Sequence, residues 1–170
     1  TTGLLDGEWH RRMYWSYGQI VGQYIAFRGD MGYAVQVFAT SPREGGLNSG
    51  QGYVVYAGRT AKEERSERLF ALRPDQSTWR VRLSIRPIAM ILAGDRLLLA
   101  GPPDLEDPAE NLAAIEGRRE AKLLVLRTED GTTEATYSLN SPPIYDGIAS
   151  VNGSLYLCTM EGRVTCLAAR

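Results

Sequence analysis

Apolar and polar residues alternate along this chain in short runs, and helical periodicity is confined to one segment. Strands are predicted at Arg12–Tyr17, Tyr33–Ala39, Tyr53–Ala57, Arg68–Leu72, Thr78–Leu83, Ile88–Leu92, Arg96–Ala100, Lys122–Leu126, Glu134–Leu139, Ile148–Val151, Ser154–Cys158 and Arg163–Leu167. These runs are rich in Val, Ile, Leu and Tyr and are bounded by Gly, Pro, Asp and Asn, which favour turns over strands. Gly94-Asp95, Asp130-Gly131, Asn152-Gly153 and Glu161-Gly162 fall between apolar runs, where hairpin turns belong. One helix is predicted over about 107–120. Asp107 can cap it, Pro108 fits its first position, and Glu110 stands three residues after the cap. Leu112, Ala113 and Ile115 are then expected on its apolar face. Thr60–Glu67 reads as a second, shorter charged helix or a plain loop, its alternating charges forming a solvated surface, and Ser41–Gln51 as a flexible loop.

The strands recur as a unit. Val54-Val55-Tyr56-Ala57-Gly58 is echoed by Leu97-Leu98-Leu99-Ala100-Gly101 and more loosely by Leu155-Tyr156-Leu157-Cys158-Thr159. Each is followed by a second apolar strand: Leu69–Leu72, Leu123–Leu126 and Val164–Leu167. A polar turn and a further strand close the first two units at Leu83 and Leu139. Without the helical insertion a unit has roughly the 40–50 residues of a four-stranded propeller blade. A sheet with two apolar faces cannot bury both alone, and stacking such sheets around an axis does so. The predicted fold is therefore all-β, a β-propeller or partial propeller of antiparallel four-stranded blades. The blade-like units run over about 31–83, 88–139 and 144–168, in one domain or a fragment of a larger one. The third unit lacks a fourth strand. Either the chain belongs to a larger ring, or the N-terminal region supplies a strand.

Composition adds exclusions. The chain has 170 residues, 44% of them apolar and 23% charged, which is ordinary for a globular domain and unlike a disordered tail. Nineteen basic residues against twenty acidic leave a net charge of −1, so no nucleic-acid partner is expected. No apolar run is long enough for membrane insertion by a helix. Cys158 and Cys166 flank Glu161-Gly162. A two-residue turn there would point their sulfurs to opposite faces, so no disulfide is expected. No Cys/His cluster has the spacing of a metal site. The chain opens on Thr1 and is expected to be a piece of something longer.

The segments Ala93–Asp104, Leu123–Leu126 with Asp130-Gly131, Ser141–Ala149, Asn152–Leu157 and Gly162–Leu167 resemble the pyrroloquinoline-quinone-like, or quinoprotein alcohol dehydrogenase-like, β-propeller repeats. The resemblance covers about half of the chain well and residues 50–87 more weakly. Leu5–Trp15 resembles a segment upstream of such blades in large bacterial proteins. The resemblance implies a propeller and an extracytoplasmic location, periplasmic or at the cell surface. The quinone-dependent enzymes of that family carry adjacent cysteines, a tryptophan floor and a calcium held by Glu, Asn and Asp. Here the cysteines are apart and no such carboxylate set is visible. Neither pyrroloquinoline quinone nor calcium is expected as a cofactor. Trp79 stands where the repeats carry a docking tryptophan, with Tyr137 in the similar place of the next unit.

No residue is singled out as catalytic or metal-binding. The candidate ligand-binding residues are Asp146 with its neighbour Tyr145, Asp104 after the comparable Pro-rich loop, and His10 beside Trp9. Each has a plainer role available: the two carboxylates as turn caps, the histidine as a structural or exposed side chain. Arg80 and Arg82 are expected on a solvated strand face. The function this pattern favours is a noncatalytic binding or scaffolding module. Its partner would be another protein or the remaining blades of the same one, with self-association possible through open blade edges. The alternative is a segment of a quinoprotein-like or carbohydrate-active enzyme with its site at the propeller axis.

Overall fold

The computed structural model describes residues 15–37, 52–60 and 77–168. The predicted strand Arg68–Leu72, the loop Ser41–Gln51 and nearly all of Thr60–Glu67 lie outside them, as do Trp9 and His10. The chain forms two compact units, residues 1–83 and 84–170. The described part is all-β apart from one helix, built on antiparallel sheets.

In the first unit β1 (Trp15–Tyr17) and β2 (Ile20–Gly22) make a hairpin. Then β3 (Tyr24–Arg28), β4 (Met31–Val37), β5 (Tyr53–Arg59) and β6 (Trp79–Leu83) form a four-stranded meander in chain order. Ile20 of β2 packs on Ala34 and Tyr56 of that sheet, with Ile25 against them. The Tyr56 hydroxyl fastens the hairpin. It accepts from the Val21 N–H at 2.9 Å and donates to the Val21 carbonyl at 2.8 Å. Gln36 Nε2 donates to the same carbonyl at 3.1 Å, which explains a buried glutamine in β4.

Two sequence expectations change here. Strands β2 and β3 were not predicted, because Gly18, Gly22 and Gly29 interrupt the apolar run. Gly22 nevertheless belongs in a strand: a Cβ there would lie 2.5 Å from the Val35 carbonyl oxygen. The repeat is also displaced by one strand in this unit. Val54–Gly58 is the third strand of its sheet, β5, whereas Leu97–Gly101 is the second strand of the next one.

In the second unit β7 (Ala89–Ala93), β8 (Arg96–Gly101), β9 (Ala121–Arg127) and β10 (Thr133–Leu139) form another four-stranded meander. A three-stranded sheet follows: β11 (Pro143–Val151), β12 (Ser154–Thr159) and β13 (Val164–Ala168). The two sheets meet face to face over Leu98, Ala100, Leu123, Val125, Leu155 and Leu157. Strand bounds from β6 onward lie close to those expected, except that β11 begins earlier, at Pro143 rather than Ile148.

Helix α1 (Pro108–Ile115) sits between β8 and β9. As expected, the Asp107 carboxylate accepts from the N–H groups of Ala109 and Glu110, both at 2.9 Å. The helix stops short of Glu120 because Gly117 takes φ +79. Its N–H donates to the Ala114 carbonyl and that of Arg118 to the Ala113 carbonyl, which satisfies the last turn. The buried face is Asn111, Ala113 and Ala114, while Leu112 is exposed.

The β12–β13 turn overturns the expected opposite facing of the two cysteines. Gly162 donates to the Thr159 carbonyl with φ +75, and Thr159 donates to the Arg163 carbonyl. The loop is therefore three residues long, a turn closed by a left-handed glycine. That shifts the register by one residue: Cys158 pairs with Val164 and Cys166 with Tyr156. Both sulfurs then share one face of the sheet, and both thiols are free.

Candidate functional site

The register divides the third sheet into two unlike faces. Ile148, Leu155 and Leu157 turn toward the β7–β10 sheet. Ala149, Val151, Tyr156, Cys158, Val164 and Cys166 occupy the other face. There Val151 is 52% exposed and Val164 65%, with Tyr156 also exposed. Tyr156 and Cys166 are cross-strand partners, and the thiol beside it holds the Tyr156 hydroxyl above the usual tyrosine range. On its outer side β13 has no strand partner among the described residues.

An open cleft of about 1080 Å³ runs along that side of the second unit. Its apolar walls include Leu98, Val125 and Ala135 from one sheet and Leu155 and Leu167 from the other, with Tyr137 at the side. Its charged lining is Asp95, Arg96 and Glu134. Arg96 bonds Asp95 and Glu134, both at 2.8 Å, and Arg127 approaches Asp130 at 3.2 Å and Glu134 at 3.9 Å. These contacts raise the Arg96 pKa, Glu134 contributing most. Asp130 is held below the usual carboxylate range, chiefly by the Thr132 N–H it accepts.

The candidate carboxylates lie in different settings. The Asp104 side chain is 3% exposed and faces Arg86 at 3.9 Å, itself buried. The Asp104 N–H donates to the Ser84 carbonyl at 3.3 Å, where residues 84–88 run beside 100–104. This is a structural setting, away from solvent. Asp146 is exposed, with φ +54, at the bulge where β11 shifts register between Pro143 and Ile148. Its N–H donates to the Ile88 carbonyl at 2.9 Å. The attachments at Ser84 and Ile88 are four residues apart, at most about 14 Å of chain. Tyr145 is 69% exposed beside Asp146. The structure thus puts Tyr145 and Asp146 together on the surface and Asp104 in an internal ion pair.

Trp79 is buried against Tyr33, ring centres 6.1 Å apart, whereas Tyr137 is exposed in the cleft. Arg80 is half-buried over the Tyr56 ring at 6.0 Å, and desolvation lowers its pKa. The expectation of a fully solvated arginine face holds for Arg82 alone. Sequence reasoning did not single out Leu167, Glu134 or Arg96, because the cleft arises from the packing of two sheets rather than from a motif.

Among the described residues no three or more His, Cys, Asp or Glu side chains converge as metal ligands. No helix among them is long and apolar enough to cross a membrane. No protein-family model matches the chain, and no curated protein matches it.

Proposed function

We propose that this chain is a noncatalytic binding and scaffolding module of the quinoprotein-like β-propeller type, working as part of a larger extracytoplasmic protein. Its partner is another protein or further blades of its own. The observation that carries the proposal is the uncovered face of the third sheet. The faces of β5, β8 and β9 are buried, yet β11–β13 presents Val151, Tyr156 and Val164 to solvent. Apolar side chains gathered on one sheet face favour a covering partner. The sequential four-stranded meanders agree with blade architecture, and the resemblance of Ala93–Asp104 and Ser141–Ala149 to such repeats supports the family and location.

Light scattering across a concentration series tests this. The chain is expected to associate as concentration rises, and the double variant Tyr156→Lys, Val164→Lys to remain monomeric. A chain that stays monomeric throughout and leaves a hydrophobic dye unbound would overturn the proposal.

A further inference from the structure

We propose that the outer edge of β13 is a strand acceptor, which pairs in trans with an extended protein segment alternating large apolar residues with basic ones. This rests on the binding-module proposal and names the chemistry of its partner.

The internal repeat defines the lane. In the first four-stranded sheet β6 lies beside β5, and in the second β10 lies beside β9. The third sheet repeats the arrangement as far as β13 and leaves the next lane open among the described residues. An edge strand offers a row of backbone donors and acceptors to any chain that fits it.

The edges differ in how they discourage such pairing. β10 carries Glu134 and a register irregularity between Thr133 and Ala135, which break up an edge. β6 carries Arg80 and Arg82. β13 reads Val-Thr-Cys-Leu-Ala, with no charge, no proline and an unbroken register against β12. It lacks the features that protect the other two.

The chemistry of the occupant follows from what flanks the lane. On one side the cleft presents Tyr137, Ala135 and Leu167, which accept apolar side chains at every second position of an added strand. The opposite side continues the face of Val164 and Cys166. The cleft side carries Arg96 with Asp95 and Glu134, one negative charge in excess. Residues 84–170 as a whole carry eight Lys and Arg against twelve Asp and Glu, a net −4. Basic residues at the intervening positions point away from the cleft toward solvent, where they complement the net negative charge of residues 84–170 as a whole. The chain's own fourth strand Trp79-Arg80-Val81-Arg82-Leu83 has this pattern and serves as a probe.

The experiment uses a synthetic peptide with the sequence of residues 77–84, titrated into the full chain and followed by hydrogen exchange and by calorimetry. Saturable binding is expected, with new amide protection concentrated in β13. A peptide with both arginines replaced by glutamate should bind about tenfold more weakly. One with proline in place of the valine should lose binding. Leu167→Asp in the chain, with its circular dichroism unchanged, should also lose it. Three results would overturn the proposal: no binding, protection outside β13, or β13 amides that exchange as slowly as those of β12 before peptide is added. Should the peptide fail while the Tyr156→Lys, Val164→Lys variant still abolishes association, strand addition fails and the binding module stands.

Discussion

Replacing Tyr56 by Phe isolates the hydroxyl that fastens β2 to the first sheet. The ring stays, so its packing on Ile20 and Ala34 and the Arg80 guanidinium above it are kept. What disappears is the acceptor for the Val21 N–H and one donor to the Val21 carbonyl. The carbonyl retains Gln36, so the main cost is a buried amide left without a partner. Such a group costs about 1–3 kcal/mol. For a chain of this size each kcal/mol lowers the melting temperature by about 2–4 °C. Urea unfolding should therefore show a lower midpoint with an unchanged slope. A second readout is pH. Burial, the largest influence, raises the Tyr56 pKa above 10.0 in the folded state. The folded protein then holds its proton where the unfolded chain has released it. This contribution is fully present below pH 10.0 and is lost as pH rises through the folded-state value. Tyr56→Phe should lack that alkaline loss. A variant as stable as the parent, or one with the same alkaline decline, would refute the role assigned to the hydroxyl.

Further outcomes follow from single contacts. Leu157→Ala empties a fully buried position between the two sheets of the second unit and should cost about 2–5 kcal/mol in urea unfolding. Gly101→Ala would place a Cβ 1.8 Å from the Arg86 carbonyl oxygen, a backbone atom that cannot swing aside. It should cost about 1–3 kcal/mol or more and speed amide exchange along residues 84–88. Asp107→Ala removes the acceptor for two amides at the start of α1, with an expected loss of about 0.5–2 kcal/mol by thermal unfolding.

The second unit was largely legible because its strands are uninterrupted apolar runs between turn dipeptides. Leu97–Ala100 and Leu123–Leu126 bury residues on successive positions, and Asn152-Gly153 makes the expected two-residue turn with both residues left-handed. The first unit was less legible because glycines stand inside its strands. Gly22 and Gly32 are there for close approach: a Cβ on Gly32 would meet Ile20 Cγ1 at 2.7 Å. A tertiary contact had overridden the local pattern. The cysteine faces were missed through one residue of turn length, which reverses every side chain beyond it. The buried Arg86–Asp104 pair and the cleft at Tyr137 depend on which segments lie side by side, and no spacing along the chain encodes that.

Among the described residues every ladder in the three larger sheets joins successive strands, and in the second unit this sets an order of events during synthesis. The β7–β10 sheet is complete once Leu139 has emerged, yet Leu155 and Leu157, which cover its Leu98–Leu123 face, come later. At about 5–20 residues per second, the segment from Leu139 through Ala168 takes roughly 1.5 to 6 seconds. For that interval a nascent chain displays a finished sheet with an apolar face bare. Local pairing makes each sheet quick to form, and it also makes this the period in which the growing polypeptide is most exposed to aggregation or to capture by a chaperone.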